Sequence, residues 1–139
     1  MDPISVSIGT LGLIDSLNKI VKRYQDILRP KSGDASSEEV FGEIMILLWV
    51  LAESKMLTDE LVDQPASLII ALQRCQDSSA QLEKLLHKMS KRSTMAMAVQ
   101  VMSTHITLRE TFTTFKSAVI LFRDIATKSV LFSIEMRDR

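Results

Sequence analysis

The chain has 139 residues, of which 46% are hydrophobic and 24% charged; this is the composition of one folded domain and excludes global disorder. Its 17 basic and 17 acidic residues give a formal net charge of zero, without the basic excess that is typical of nucleic-acid-binding proteins. Cys75 is the only cysteine, which excludes a disulfide-linked secreted scaffold and favours a reducing, intracellular setting.

The first predicted helix runs from about residue 3 to residue 28. Apolar residues recur along it at three- and four-residue steps and so share one face, which begins with Ile4, Ile8, Leu11 and Ile14 and continues through Leu17 and Val21. A second apolar stripe flanks this face and consists of Val6, Leu13, Ile20 and Ile27. The uncharged run from Pro3 to Ile14 has only twelve residues, whereas a plain transmembrane helix needs about 20.

Two glycines and a group of cations distinguish the two halves of this helix. Gly9 and Gly12 lower the helix propensity of the first half by about 1 kcal/mol each. Lys19, Lys22 and Arg23 make the second half basic. These cations are compatible with a solvated helix end, and also with an anchor that holds the apolar front of the helix on an anionic membrane surface.

The second predicted helix spans about residues 37–57, and Ser36 and Glu39 have the spacing of a capping box at its start. Its middle, from Ile44 to Ala52, is apolar on nearly every side. A helix with this pattern lies at the centre of a bundle or is covered by another chain, so we expect residues 44–52 to be the most buried stretch.

The third predicted helix spans about residues 65–90 and the fourth about residues 94–136. The fourth is either one long helix or is broken near residues 103–107, where threonine and β-branched residues are frequent. No strand-like alternation is sustained along the chain. The sequence therefore predicts one all-α domain over residues 1–139, a four- or five-helix bundle that is mostly antiparallel.

The sequence does not contain a recognisable catalytic, cofactor or metal motif. Cys75 lies on the apolar stripe of the third helix, where a buried packing thiol is expected. His87 and His105, the two histidines, do not have the spacing of metal ligands. We therefore expect a protein that is not an enzyme and that binds no cofactor, no metal and no nucleic acid.

The opening Met1-Asp2-Pro3-Ile4-Ser5-Val6, followed by the glycine- and leucine-rich run Ile8-Gly9-Thr10-Leu11-Gly12-Leu13-Ile14, resembles the N-terminal domains of fungal STAND (NLR-like) receptors of the HeLo-like group. The order of the later helices is also similar to that group. The resemblance implies a helical bundle that precedes a nucleotide-binding module and a repeat sensor. It further implies execution of programmed cell death or heterokaryon incompatibility through oligomerisation and membrane attack by the first helix.

Carried onto this sequence, the resemblance assigns the membrane-insertion face to Ile4, Ile8, Leu11 and Ile14 and the steering cations to Lys19, Lys22 and Arg23. Gly9 and Gly12 would weaken the first helix so that it leaves the core when the bundles cluster. The implied partners are other copies of the chain, anionic membrane lipids, and a receptor or amyloid-type signalling partner. The domain would then be cytoplasmic and move to the plasma membrane on activation. The alternative is a protein-interaction or oligomerisation module without membrane activity.

Overall fold

The computed structural model describes the backbone of residues 3–28, 35–90 and 94–137, and the side chains of residues 6–23, 42–88 and 107–137. These ranges form four α-helices and no β-strand: α1 (Pro3–Leu28), α2 (Ala35–Asp59), α3 (Ala66–Ser90) and α4 (Thr94–Arg137). The predicted all-α bundle is confirmed. Helix α2 extends two residues further at each end than expected, whereas the bounds of α1 are as expected.

Each helix packs mainly against two of the other three, in the cyclic order α1, α2, α4, α3. The Ser7 hydroxyl at the start of α1 donates a hydrogen bond to Asp59 at the end of α2, so these two helices run antiparallel. Arg23 near the end of α1 lies beside His87 near the end of α3, so α1 and α3 run parallel.

Two ion pairs fix the relative direction of α2 and α4. Lys116 lies 3.5 Å from Glu43 and Arg123 lies 3.0 Å from Glu53, so the two helices run parallel. Consecutive helices in the chain are therefore antiparallel, as expected, whereas the other two neighbouring pairs are parallel. The bundle consists of two helical hairpins, α1–α2 and α3–α4, laid side by side.

The core is built from one apolar stripe on each helix, with side chains spaced three or four residues apart. The largest fully buried side chains are Phe115 and Phe122 of α4, Leu17 and Ile20 of α1, Ile44 and Leu51 of α2, and Leu68, Leu82 and Leu86 of α3. Cys75 is also fully buried, which confirms the expected packing thiol.

Helix α2 differs from the expectation that residues 44–52 are the most buried stretch, and that expectation is wrong. Ile44, Leu47 and Leu51 enter the core, but Met45, Ile46 and Trp49 are exposed. The reason is geometric, since a helix at one corner of a four-helix bundle can bury only one side of its surface. The apolar residues on the remaining side of α2 lie at the protein surface.

Helix α4 is one uninterrupted helix of 44 residues, so of the two alternatives for the last segment the structure has the unbroken one. At a rise of 1.5 Å per residue it is about 66 Å long, against about 38 Å for the 25-residue helix α3. Val130 is its last buried residue, and the final two turns expose the apolar residues Leu131, Phe132, Ile134 and Met136.

Candidate functional site

The outer face of α1 carries two of the four residues that the sequence assigns to membrane contact, Ile8 and Leu11. The buried side of this helix is formed by Val6, Thr10, Leu13, Leu17 and Ile20, mostly residues of the flanking stripe. Ile8 and Leu11 are 61% and 49% exposed, whereas Ile14 is half-buried and packs against the core. Ile4 lies outside the residues whose side chains are described. Two members of the predicted face are therefore on the surface and one is at its edge.

The predicted steering cations lie on the same side of α1, further along the helix. Ile8, Leu11, Asp15, Lys19 and Lys22 are all exposed and follow each other at steps of three or four residues, so they form one line. We call this line the α1 outer face. It begins apolar and ends basic, with a single carboxylate between the two parts.

The charged side chains of the α1 outer face make only weak interactions within the chain. Lys19 lies 3.5 Å from Asp15, and both side chains are more than 70% exposed, so solvent screens the pair almost completely. Arg23, at the edge of the face towards α3, lies 3.2 Å from Nδ1 of His87. Lys19 and Lys22 are therefore available to an external anionic surface.

The two glycines of α1 have different surroundings. A Cβ atom on Gly9 would lie 2.8 Å from Cδ2 of Leu72 and 3.1 Å from Nε2 of Gln76, so this glycine allows α1 and α3 to approach closely. A Cβ atom on Gly12 would meet nothing within 4 Å. Gly9 therefore has a packing role in the folded bundle, and the predicted role of both glycines in helix release stays a prediction.

A second surface runs along α2 and overlaps the apolar stretch that the sequence places either at the centre of a bundle or under another chain. Gly42, Met45, Trp49, Ala52 and Met56 are exposed and follow each other at steps of three, four, three and four residues. Trp49 and Met56 are 72% and 71% exposed, and Ile46 lies beside the line. We call these five residues the α2 stripe. They lie opposite the buried side of α2 and include no charged residue, which is the pattern of a helix-docking face.

Charged side chains border the α2 stripe but are engaged within the chain. On the side of α4, Glu43 and Glu53 form the ion pairs with Lys116 and Arg123. On the side of α1, Lys55 donates a hydrogen bond of 2.7 Å to Asp59. The stripe is thus an uncharged strip between two rows of paired charges.

Groups with catalytic potential do not converge in the described part of the chain. Burial raises the pKa of the Cys75 thiol to about 12, so this cysteine stays protonated at physiological pH. Among the described residues, no group of three or more histidine, cysteine or acidic side chains is placed to hold a metal ion. His105 lies outside the residues whose side chains are described.

One depression of about 500 Å³ lies along the surface of α4, beside Arg109, Glu110, Thr113 and Thr114. The hydroxyls of Thr113 and Thr114 donate hydrogen bonds to the backbone carbonyls of Arg109 and Glu110 in the preceding turn. All four residues belong to one helix, and the two hydroxyl protons are used within it. This arrangement lacks the convergent polar groups of an active site.

In the described ranges, no helix combines the length and the hydrophobicity that crossing a bilayer requires. Comparison with protein families, with curated proteins and with solved structures finds no match to this chain. Two exposed surfaces, on α1 and on α2, therefore remain as the candidate functional sites.

Proposed function

We propose that the chain is a signalling and effector domain of programmed cell death in a fungal innate-immunity-type receptor, and that it docks on membranes through the α1 outer face. The observation that carries the proposal is the order of exposed side chains on that face. Ile8 and Leu11 form an apolar end, and Lys19 and Lys22 form a basic end. In this proposal the domain resides in the cytoplasm and moves to the plasma membrane on activation.

The geometry favours a helix that lies on the membrane rather than one that crosses it. An amphipathic helix at the interface buries its apolar residues among the lipid headgroups and gains about 1 kcal/mol for each cation near an anionic surface. Because Ile8 and Leu11 are already exposed, first contact with lipid does not need α1 to leave the core. Asp15 opposes this attraction, and its pairing with Lys19 reduces the repulsion.

The test is flotation of the purified chain with anionic and with neutral vesicles, at low and at high salt. We expect binding to anionic vesicles that weakens at high salt, since salt screens exposed charges over about 10 Å at 0.1 M. Leu11→Glu should abolish flotation, because it places a carboxylate in the apolar end of the face. Replacing Lys22 by Gln should weaken binding about fivefold, the equivalent of about 1 kcal/mol.

The matched control is Ile70→Glu, since Ile70 is 50% exposed on the outer side of α3 and Leu11 is 49% exposed on α1. The two variants carry the same new charge at equal exposure, and the control should float like the wild-type chain. Equal flotation of both variants, or no flotation of the wild-type chain under any condition, would remove the membrane role. Expression of the same pair in a fungal host extends the test to cell death, which only the Ile70→Glu chain should still induce.

The α2 stripe favours a second candidate function, a protein-interaction and oligomerisation module without membrane activity. An exposed tryptophan flanked by methionines, without charge, is the composition of an interface centre rather than of a solvated helix side. Concentration-dependent light scattering by the chain, without binding to vesicles, would favour this candidate over the membrane effector.

A further inference from the structure

The α2 stripe contains both small and large side chains. Gly42 and Ala52 are small, whereas Met45, Trp49 and Met56 are large. All five positions are exposed, and none lies in the core of its own bundle. Such a mixture of sizes restricts which partner helix can pack against the stripe without leaving voids.

An antiparallel second copy of α2 satisfies this restriction. In that arrangement Trp49 packs against Ala52 of the other copy, and Met45 packs against Met56 of the other copy, which gives four layers related by a two-fold axis. Each Trp49 ring then lies over a small residue, and the methionines, which adapt to irregular gaps, lie together. A parallel pair in register would instead stack Trp49 on Trp49 and Ala52 on Ala52, and a void would form at each small pair.

The charges and the area at this surface also fit a second copy. Glu43 and Glu53 are paired with α4 and Lys55 with Asp59, so the stripe offers no unpaired charge to an acidic or basic partner. The net charge of the chain is zero, so two copies do not repel each other as whole molecules. Two stripes cover on the order of 1,000 Å² of mainly apolar surface, which is near the lower limit for a specific interface.

We propose that two copies of this chain form a symmetric dimer through antiparallel packing of their α2 stripes, with Trp49 against Ala52 of the partner copy. The inference deepens the interaction-module function and rests on it, and it is independent of membrane docking by α1. It names the partner, the contact residues and the register of the contact. Because the area is small, the dimer is in equilibrium with the monomer and depends on concentration.

Trp49 provides a direct probe, because it is the only tryptophan of the chain and lies at the centre of the stripe. We expect its fluorescence emission to move to shorter wavelength as the chain is concentrated from about 1 μM to about 1 mM, a range that spans common affinities of weak dimers. Over the same range, sedimentation should show the mass rise from 15.6 kDa towards twice that value.

Ala52→Glu should weaken the dimer by roughly tenfold or more, since it buries a carboxylate from each copy against an indole ring. Ala52 is exposed in the single chain, so the variant keeps its fold, which circular dichroism verifies. Ile70→Glu on α3 is the control and should dimerise like the wild-type chain. A single-chain mass with unchanged Trp49 emission at every concentration would overturn the inference.

Two variants with one added cysteine each test the register. Mixed under oxidising conditions, Met45→Cys and Met56→Cys chains should form mainly the mixed disulfide, because antiparallel packing joins positions 45 and 56. Cys75 does not compete, since it is fully buried. Disulfides formed mainly between two Met45→Cys chains would indicate parallel packing and overturn the proposed geometry.

The possible outcomes distinguish the α2 dimer from the two proposed functions, membrane docking and the interaction module. If light scattering shows self-association that Ala52→Glu leaves unchanged, the result supports an interaction module but contradicts the α2 dimer. If Trp49 emission shifts only when vesicles are added, the α2 stripe contacts lipid, and the proposed dimer is contradicted. Loss of dimerisation in Ala52→Glu with vesicle flotation retained would support the dimer and keep α1 as the separate membrane face.

Discussion

Gly9 and Gly12 show how two identical residues, one turn apart, have different roles in the folded chain. Gly9 lies in the contact between α1 and α3, where an added methyl group would meet Leu72 at 2.8 Å. Gly12 is exposed, with open space where a methyl group would go. Both residues reduce helix propensity equally, so any difference between their alanine variants reports on packing.

We expect Gly12→Ala to raise the free energy of unfolding by about 1 kcal/mol, because alanine gains helix propensity there at no steric cost. Gly9→Ala gains the same propensity but forces the buried Leu72 to move, so it should be clearly less stable than Gly12→Ala. Urea titrations of the two variants measure the difference. Equal stabilisation by both would show that α1 and α3 are not in close contact at Gly9.

The same pair bears on helix release. If departure of α1 from the core limits membrane binding, the stabilising variant Gly12→Ala should slow or weaken flotation. If the exposed residues of the α1 outer face are sufficient, Gly12→Ala should bind vesicles like the wild-type chain.

At the scale of the helices, the apolar residues of each helix include buried ones, which stabilise the fold, and exposed ones, which do not. Phe122 is fully buried in α4, whereas Phe132, three turns later on the same helix, is 65% exposed. Phe122→Ala should lower the free energy of unfolding by about 3–5 kcal/mol, since it leaves a cavity in the core. Phe132→Ala is the matched variant.

Thermal or urea unfolding of the two alanine variants tests this division. Phe132→Ala should change the stability by less than about 0.5 kcal/mol, as expected for a surface position. A loss of several kcal/mol at Phe132 would mean that the last two turns of α4 are covered in solution.

The helices could be predicted from the sequence because their ends are marked by local signals. Pro65 is one example: its carbonyl accepts the first hydrogen bonds of α3, from Leu68 and Ile69, so the helix begins immediately after it. The inner stripe of α3 could also be predicted, because apolar residues recur along it at steps of three and four residues. Cys75 of α3, for instance, is buried as the periodicity indicates.

The orientation of α1 and α2 could not be predicted in the same way. In α1 two apolar stripes lie side by side, and periodicity alone does not decide whether Leu13 or Ile8 faces the core. In α2 the run around Trp49 is apolar on every side, so its sequence is compatible with a central helix. The arrangement of the other helices decides both cases, and this depends on long-range packing that no local pattern encodes.

At the scale of the whole molecule, one carboxylate connects the start of α1 to the end of α2. Asp59 accepts hydrogen bonds from Lys55 at 2.7 Å and from Ser7 at 2.6 Å. These two hydrogen bonds hold the pKa of Asp59 below its ordinary value of 3.8, and the hydrogen bond from Lys55 has the larger effect. The lowered pKa means that the folded chain favours the charged carboxylate.

The stability of the whole bundle should therefore depend on this group in acid. The contribution of Asp59 is fully present above its ordinary pKa of 3.8 and is lost as the pH falls through its lower pKa in the folded chain. Asp59→Asn should remove this part of the acid dependence, and Ser7→Ala, which removes one of the two donors, should remove less of it. Unfolding titrations between pH 2 and pH 7 would measure both, and identical acid dependence in all three chains would contradict the assignment.

The pairing of helices into two hairpins has a consequence for how the chain can be divided. The segment between Asp59 and Ala66 joins α2 to α3, which are not principal neighbours, and the shared core closes through the parallel pairs α1–α3 and α2–α4. A cut in this segment would give two fragments, each a complete hairpin with one apolar side uncovered. The fold is in this sense a heterodimer of hairpins within one polypeptide, and separately made halves should reassemble into the intact core.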